Sequence, residues 1–368
     1  MIILHTITRG SGGGTMGALE KSISYERNLG HEVWLASGNV HNSDINHLYV
    51  RNLKREINLL TDILAFLELR KIVAKIGPDM IHSHESKAGV LTRLLCYVMK
   101  KPIYVHTVHM ATFHSKSNSL SGIIYSSIER IMAKKTDFLV FVSPALKTIF
   151  EAKNILPAKS ALVIRSRVNI EKFTDRKELR NHDHKIFADR LGIPESAKII
   201  LFVGLLEHRK RPQFILNELA NVLAEDRSIF LVFLGEGPLR QHLESRAIEL
   251  NISAKIRFLG FKSDVEIYVS GSDAIVIAST FEGFPQIALQ ASAAGTPIVA
   301  TKLEEYLGSS IFRLITSDES MAEVVLDVLN SSNSNLSTEN PEIKHWNTKV
   351  IDGEHKILLD WVSECLGG

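Results

Sequence analysis

Short runs of β-branched and aromatic apolar residues alternate with longer stretches whose apolar positions recur at helical spacing, almost from end to end of the chain. In the first half the strand-like runs are "MIILHTI", "HEVWLAS", "DMIHSH", "PIYVHTV", "FLVFVS" and "ALVIR". In the second they are "KIILFVG", "IFLVFLG", "KIRFLG", "AIVIAS" and "PIVAT". Between them lie helical stretches such as "TMGALEKSISYERNLG", which ends on a glycine suited to a helix C-terminus, and "LTDILAFLELRKIVAKIG", with apolar residues near 3.6 spacing. Strand and helix alternating in this way predict parallel sheets covered by helices on both faces. Two such sets, set apart by the polar, charge-rich stretch from Lys172 to about Ala197, predict an α/β chain of two Rossmann-like, doubly wound domains with a cleft between them. The expected boundaries are 1–175 and 176–368, with the last helix packing back on the first domain. "NSSNSNLSTEN", near 330–340, reads as a surface loop.

Composition narrows the class. A chain of 368 residues exceeds what one core usually supports, and 45% apolar with 23% charged residues is the balance of a soluble globular protein. "MIILHTITRG" reads as a first strand and not as a signal peptide, and no apolar run reaches the roughly 20 residues of a spanning helix. Two cysteines, Cys96 and Cys365, support neither a disulfide framework nor a structural zinc site, so a reducing, cytoplasmic setting is expected. The net charge of +2 hides an asymmetry: residues 1–175 hold 23 basic and 14 acidic residues (+9), leaving 20 and 27 (−7) for the rest. Solvated helix faces account for such basic groups, and so does docking on an anionic membrane surface. A nucleic-acid partner is not expected, because no aromatic-studded basic strand or recognition helix accompanies the charge.

Chemistry in parallel sheets is sought in the loops that follow the strands. The first strand leads into "RGSGGGTMG", where Gly12, Gly13 and Gly14 can bring backbone N–H groups close to an anion just ahead of a helix. No acidic residue closes the second strand, so this is no dinucleotide fingerprint, and the Gly-Lys-Ser/Thr ending of a P-loop is missing. "IHSHESKAG" and "VHTVHMATFH" place His82, His84, His106, His109 and His114 near two strand ends. Strand alternation sends neighbours to opposite faces, which favours hydrogen-bonding, acid–base or buried structural histidines over a metal site; no metal is expected. "FVGLLEHRKRP" sets Glu207, Arg209, Lys210 and Arg211 in one loop before Pro212, which suits the first turn of a helix. "FLGEGPLRQHLE" brings Gly235 and Gly237 to a glycine turn, and "FLGFKSDVE" puts Phe261 after another strand. In "STFEGFPQIALQ", Glu282 projects from a loop, Gly283 bares the backbone, Pro285 begins a helix, and the N–H groups of Phe284, Gln286 and Ile287 are expected to face a ligand. A carboxylate suits sugar hydroxyls and a helix N-terminus suits phosphate, with Gln290 a turn further on.

These stretches resemble a known family. "STFEGFPQIALQASAAGTPIVA" is similar to the signature of retaining glycosyltransferases of family 4, two-domain enzymes of the GT-B fold, in which two glutamates flank the donor. "VGLLEHRK" resembles that family's phosphate loop and "FLGEGPLRQHLE" its nucleotide-side glycine turn. "SHESKAGVLTRL" with "HTVHMATFH" resembles members that build bacterial capsule, exopolysaccharide or O-antigen on a lipid carrier. The resemblance implies that Glu282 holds donor hydroxyls and that Gly283, Phe284, Pro285 and Gln286 lie against sugar and diphosphate. It implies that Arg209 and Lys210 neutralise the diphosphate, approached also by Gly12, Gly13 and Gly14. Gly235, Gly237, Phe261 and Gln290 would serve the nucleotide, and His109 would sit beside the reacting sugar. Three positions depart from the pattern: Leu205 replaces an arginine, Gln290 replaces the second glutamate, and "RSRVN" (165–169) stands where an Asn-Gly turn is expected.

The implied activity is hexosyl or N-acetylhexosaminyl transfer, with retention and without a cofactor, from a nucleotide sugar, a UDP-sugar as the resemblance has it, to a lipid-linked or glycan acceptor. The N-terminal domain would take the acceptor and the C-terminal domain the donor, at the inner face of the cell membrane. A nucleotide-sugar epimerase of the same architecture and a weak, sugar-nucleotide-binding subunit are the alternatives.

Overall fold

A computed structural model describes residues 1–8, 14–39, 45–111, 113, 120–280, 282–301, 312–315, 319–331 and 348–367. The chain divides into two compact units, Met1–Arg167 with Thr348–Gly368, and Val168–Asn347. The division precedes the expected boundary at 175 because Val168, Ile170 and Phe173 are buried in the core of the second unit. The polar stretch read as a spacer also belongs to that unit. Its helix Arg180–Leu191 buries Phe187 and Leu191 on an otherwise polar surface, and the Phe187 ring meets Tyr268 edge-on at 4.9 Å.

The first unit is a parallel sheet in the order β3-β2-β1-β4-β5-β6-β7. Its strands are β1 (Ile2–Ile7), β2 (Glu32–Ser37), β3 (Asn46–Tyr49), β4 (Met80–His84), β5 (Ile103–Val108), β6 (Phe138–Phe141) and β7 (Ser160–Val163). One face is covered by the helix Gly14–Asn28 through Met16, Leu19 and Ile23, and by the last helix, Thr348–Gly367, through Ile351, Leu358, Leu359 and Val362. The helix Leu59–Ile76 covers the other face with Ala65, Leu69 and Val73, starts on an Asn58 cap, and stops where Gly77 turns left-handed (φ 62°). "RSRVN" fastens the last helix: Arg165 pairs with Glu354, and Arg167 pairs with Asp352.

The second unit is a parallel sheet in the order β10-β9-β8-β11-β12-β13. Its strands are β8 (Lys198–Val203), β9 (Ile229–Leu234), β10 (Ile256–Gly260), β11 (Ala274–Ile277), β12 (Ile298–Ala300) and β13 (Phe312–Leu314). Buried clusters lie on both faces, one around Phe187 and Ile277 and one around Phe202 and Phe233. In each sheet the order of winding reverses once, between β1 and β4 and between β8 and β11. Such reversals open a crevice at the carboxyl ends of the strands, which is where ligands of doubly wound sheets bind.

Candidate active site

At the reversal of the second sheet, the loops after β8 and β11 are tied by Thr280, whose N–H donates to the Arg209 carbonyl at 3.0 Å. This seats Glu282 against both cations of the β8 loop. Its Oε1 accepts from Lys210 Nζ, and its Oε2 accepts from Arg209 at 3.2 Å, while Arg209 also donates to Glu207 at 2.8 Å. The Glu282 side chain is 8% exposed, Lys210 17% and Arg209 33%. Burial by itself pushes the Glu282 carboxyl up; the charges of Lys210 and Arg209 outweigh it and hold the group below the ordinary carboxylate range. Glu282 and the cations of the β8 loop were read from two separate stretches of the sequence. The structure joins them, since a carboxylate this buried is tolerable only when paired. Arg211 takes no part: in the left-handed region at φ 52°, it places its guanidinium 4.0 Å from the centre of the Phe214 ring.

The neighbouring glycines have a structural reason of their own. Gly204, Gly235 and Gly260 end β8, β9 and β10 with φ of 153°, 143° and 68°. A Cβ on Gly235 would collide with the Gly204 carbonyl, and one on Gly237 with the backbone of Leu206. These turns therefore nest together at the sheet edge, which leaves Phe261, directly after β10, 74% exposed. The helix Gln286–Ala294 begins with Pro285 as its cap residue, outside the first turn where it was expected, and no side chain caps it. Phe284 and Gln286 each have an interaction of their own within the structure. Gln286 and Gln290, four residues apart, share one half-buried face of the helix. From the Glu282 loop to Phe261 the edge spans three strand spacings, roughly 15 Å, the scale of an extended sugar nucleotide.

In the first unit, Gly14 opens its helix; Gly12, Gly13, His114 and the 332–340 loop lie outside the described residues. His109 follows β5 and is half-buried, and burial lowers its pKa to about 4. His5 and His82 are partners across β1 and β4, so they share a face with His84. Ser83 and His106 take the opposite face and bond each other at 2.9 Å. His84 accepts or donates at both nitrogens, to His5 (3.0 Å) and His109 (3.2 Å), and His5 reaches Glu26 at 2.7 Å. Glu26 also meets His355 of the last helix at 3.0 Å. Burial raises the Glu26 carboxyl, but His5 and His355 overcome this and hold it far below its usual range. His5, His82 and His84 offer nitrogens within 4.8 Å of one another, a spacing that could hold a metal ion. Four of their six ring nitrogens are engaged in the bonds to Glu26, His5, His84 and His109, and His82 Nε2 bonds Thr107 at 2.7 Å, so a metal would have to displace this network.

His5, Glu26 and His355 were missed in the sequence. The signal was present: Glu26 continues the buried stripe of Leu19 and Ile23 at helical spacing, and His5 interrupts an apolar strand.

Fold and crevice together define a two-unit, doubly wound protein of the kind that binds nucleotides at its strand ends. Two family models match in sequence order, "Glycosyltransferase Family 4" over residues 12–172 and "Glycosyl transferases group 1" over residues 183–311. The chain belongs to this glycosyltransferase family, of the GT-B fold. An Escherichia coli protein named UDP-Gal:alpha-D-GlcNAc-diphosphoundecaprenol alpha-1,3-galactosyltransferase is 28% identical over 69% of this chain and 66% of its own length. The chain thus spans just under two thirds of that relative. Sucrose-phosphate synthase from Thermosynechococcus elongatus shares the fold at 17% identity, with a TM-score of 0.82 over 99% of both chains. Anabaena HepE, solved in complex with UDP-glucose, shares it at 17% identity and a TM-score of 0.77 over 98% of this chain and 99% of that one.

Proposed function

We propose that the protein transfers a sugar, with retention, from a nucleotide sugar to a lipid-linked or glycan acceptor in bacterial surface polysaccharide synthesis. The observation that carries this reading is the Glu282–Lys210–Arg209 group at the reversal between β8 and β11. In use, the two cations and the helix N-terminus behind Pro285 would take up the charge of the departing diphosphate, a preorganised stabilisation that costs no reorganisation during the reaction. Glu282 would hold hydroxyls of the sugar, Gln290 the ribose, and Phe261 the base. His109 would orient the sugar near the reacting carbon. A UDP-sugar donor is supported by the name of the Escherichia coli relative and by the UDP-glucose complex of HepE. The arginine absent at Leu205 is replaced in this reading by Arg209.

Among the described residues, no helix is long and apolar enough to cross a membrane. Support for a peripheral site at the inner membrane face comes from the helix Leu59–Ile76. Ile57, Leu59 and Leu60 ahead of and at its start are 78%, 77% and 74% exposed. Beside them a hollow of about 480 Å³ is lined by Tyr49, Arg51, Asn52, Lys54 and Leu64. Exposed apolar side chains next to cations suit an anionic lipid surface.

Incubation with a panel of nucleotide sugars, with and without lipid extract, tests the proposal. Nucleoside diphosphate released only when acceptor is present is the expected result. Interconversion of free donors would favour the epimerase, to which the relatives lend no support, and saturable binding without product would favour a binding subunit.

A further inference from the structure

The first unit contains a continuous line of buried hydrogen bonds that ends at His109. It runs Arg167–His355–Glu26–His5–His84–His109, with separations of 3.1, 3.0, 2.7, 3.0 and 3.2 Å. Its polarity follows from which atoms can donate. The Arg167 guanidinium only donates, so His355 Nδ1 accepts and its Nε2–H points at Glu26. The Glu26 carboxylate only accepts, so His5 carries its proton on Nε2. With one proton per ring, His5 Nδ1 is bare and accepts from His84 Nε2–H. His84 Nδ1 is then bare and accepts from His109 Nε2–H, which leaves the lone pair of His109 on Nδ1. Glu26 and His5 are 0% exposed, His355 2% and His84 4%, whereas His109 is partly open to solvent.

We propose that Glu26, His5 and His84 are positioning residues that fix His109 as its Nε2–H tautomer and form a proton relay behind it. A proton taken up at His109 Nδ1 lets His109 Nε2–H pass to His84 Nδ1 and His84 Nε2–H pass to His5 Nδ1. Each N–H bond broken is matched by one formed. The positive charge comes to rest on His5, against the Glu26 carboxylate, two residues along from the point of entry. Desolvation opposes charge on His84 and on His109, which makes the Glu26 end the favourable resting place. His82, its ring tilted against that of His84 at 4.4 Å and that of His5 at 5.0 Å, walls the line without joining it.

Glu26→Gln provides a test with a directional outcome. Because Arg167 keeps His355 as a donor, the amide oxygen must face His355 and the amide NH₂ must face His5. His5 then becomes the Nδ1–H tautomer, and so in turn do His84 and His109. Nitrogen-resolved NMR of the full chain labelled with ¹⁵N-histidine, with His109 assigned through His109→Gln, reads the tautomers directly. The wild type is expected to show Nε2–H at His5, His84 and His109 near neutral pH, and Glu26→Gln to invert all three. A wild-type His109 protonated on Nδ1, or an inversion confined to His5, overturns the relay. Should Glu26→Gln not fold, the wild-type spectrum still decides.

The consequence for turnover rests on the function proposed above. Glu26→Gln is expected to lower kcat about tenfold to a hundredfold, at or below the lower end of direct acid–base assistance because Glu26 acts through His109, with unchanged nucleoside diphosphate affinity. Inverted tautomers with unaltered kcat would uphold the relay and remove His109 from the reaction.

Discussion

Glu26 and Glu282 are both carboxylates withdrawn from water and held ionised, yet they are held by different means. Glu26 is 0% exposed and locked between two imidazoles donated by a strand and by the last helix. Glu282 is gripped by a lysine and an arginine that themselves reach solvent. An acid fixed by buried neutral partners can only organise its surroundings. One fixed by exposed cations can exchange them with an incoming diphosphate. The pKa of both falls, but only the second arrangement leaves room for a ligand to enter the pairing.

Removing each acid should separate them first by stability. Glu26→Ala strands the N–H groups of His5 and His355 without an acceptor and is expected to cost about 2–6 kcal/mol in urea denaturation, from about 1–3 for each buried donor left unpaired. Glu282→Ala frees cations that can turn to water and should cost within about 1 kcal/mol. Comparable losses would erase the distinction. Turnover should show the reverse order of importance: Glu282→Gln is expected to reduce kcat roughly 100-fold or more while the unfolding midpoint stays near that of the wild type, as for loss of a preorganised polar group at the reacting centre. Equal damage to both would make Glu282 structural.

Acid sharpens the contrast further. His82, His84, His106 and His109 are buried in the neutral form, so their folded pKa values lie below the unfolded value of 6.5. The stability they contribute is present above 6.5 and is lost as pH falls toward the folded values, about 4 for His109. Each such group steepens the loss by about 1.4 kcal/mol per pH unit. Glu26 and Glu282 add their own losses only as pH falls below 4.5, the unfolded value of both. Hydrogen exchange measured between pH 7 and pH 5 should therefore show the first unit loosening and the second unchanged; parallel loosening of both would contradict this assignment of causes.

Eleven of the described strands were legible because most are short runs of β-branched and aromatic apolar residues, largely withdrawn from solvent. β3 and β13 were not. Each lies at a sheet edge, is three or four residues long, and is polar enough (Asn46, His47, Arg313) to pass for a loop. The site shows the same divide. Glu282, Arg209 and Lys210 sit in loops whose punctuation marks them, and the glycines at 235 and 237 announce a tight turn. That Glu282 would be paired with both cations needed the β8–β11 adjacency, which sequence order does not contain. The histidine line was harder still, since its six members come from six separate segments of the chain and meet only once the sheet is wound and the last helix has returned to it.

The central claim is that Glu282 and the two cations form one exchangeable cradle, in which the acid serves the sugar and the cations serve the diphosphate. Calorimetric titration of UDP into the wild type and into Glu282→Gln tests this most directly. Deleting a negative charge beside Lys210 and Arg209 should tighten UDP by on the order of 1–2 kcal/mol, about tenfold in Kd, even as sugar transfer collapses. UDP bound equally well or more weakly by the variant would mean that the cations do not meet the diphosphate, and the cradle would be abandoned.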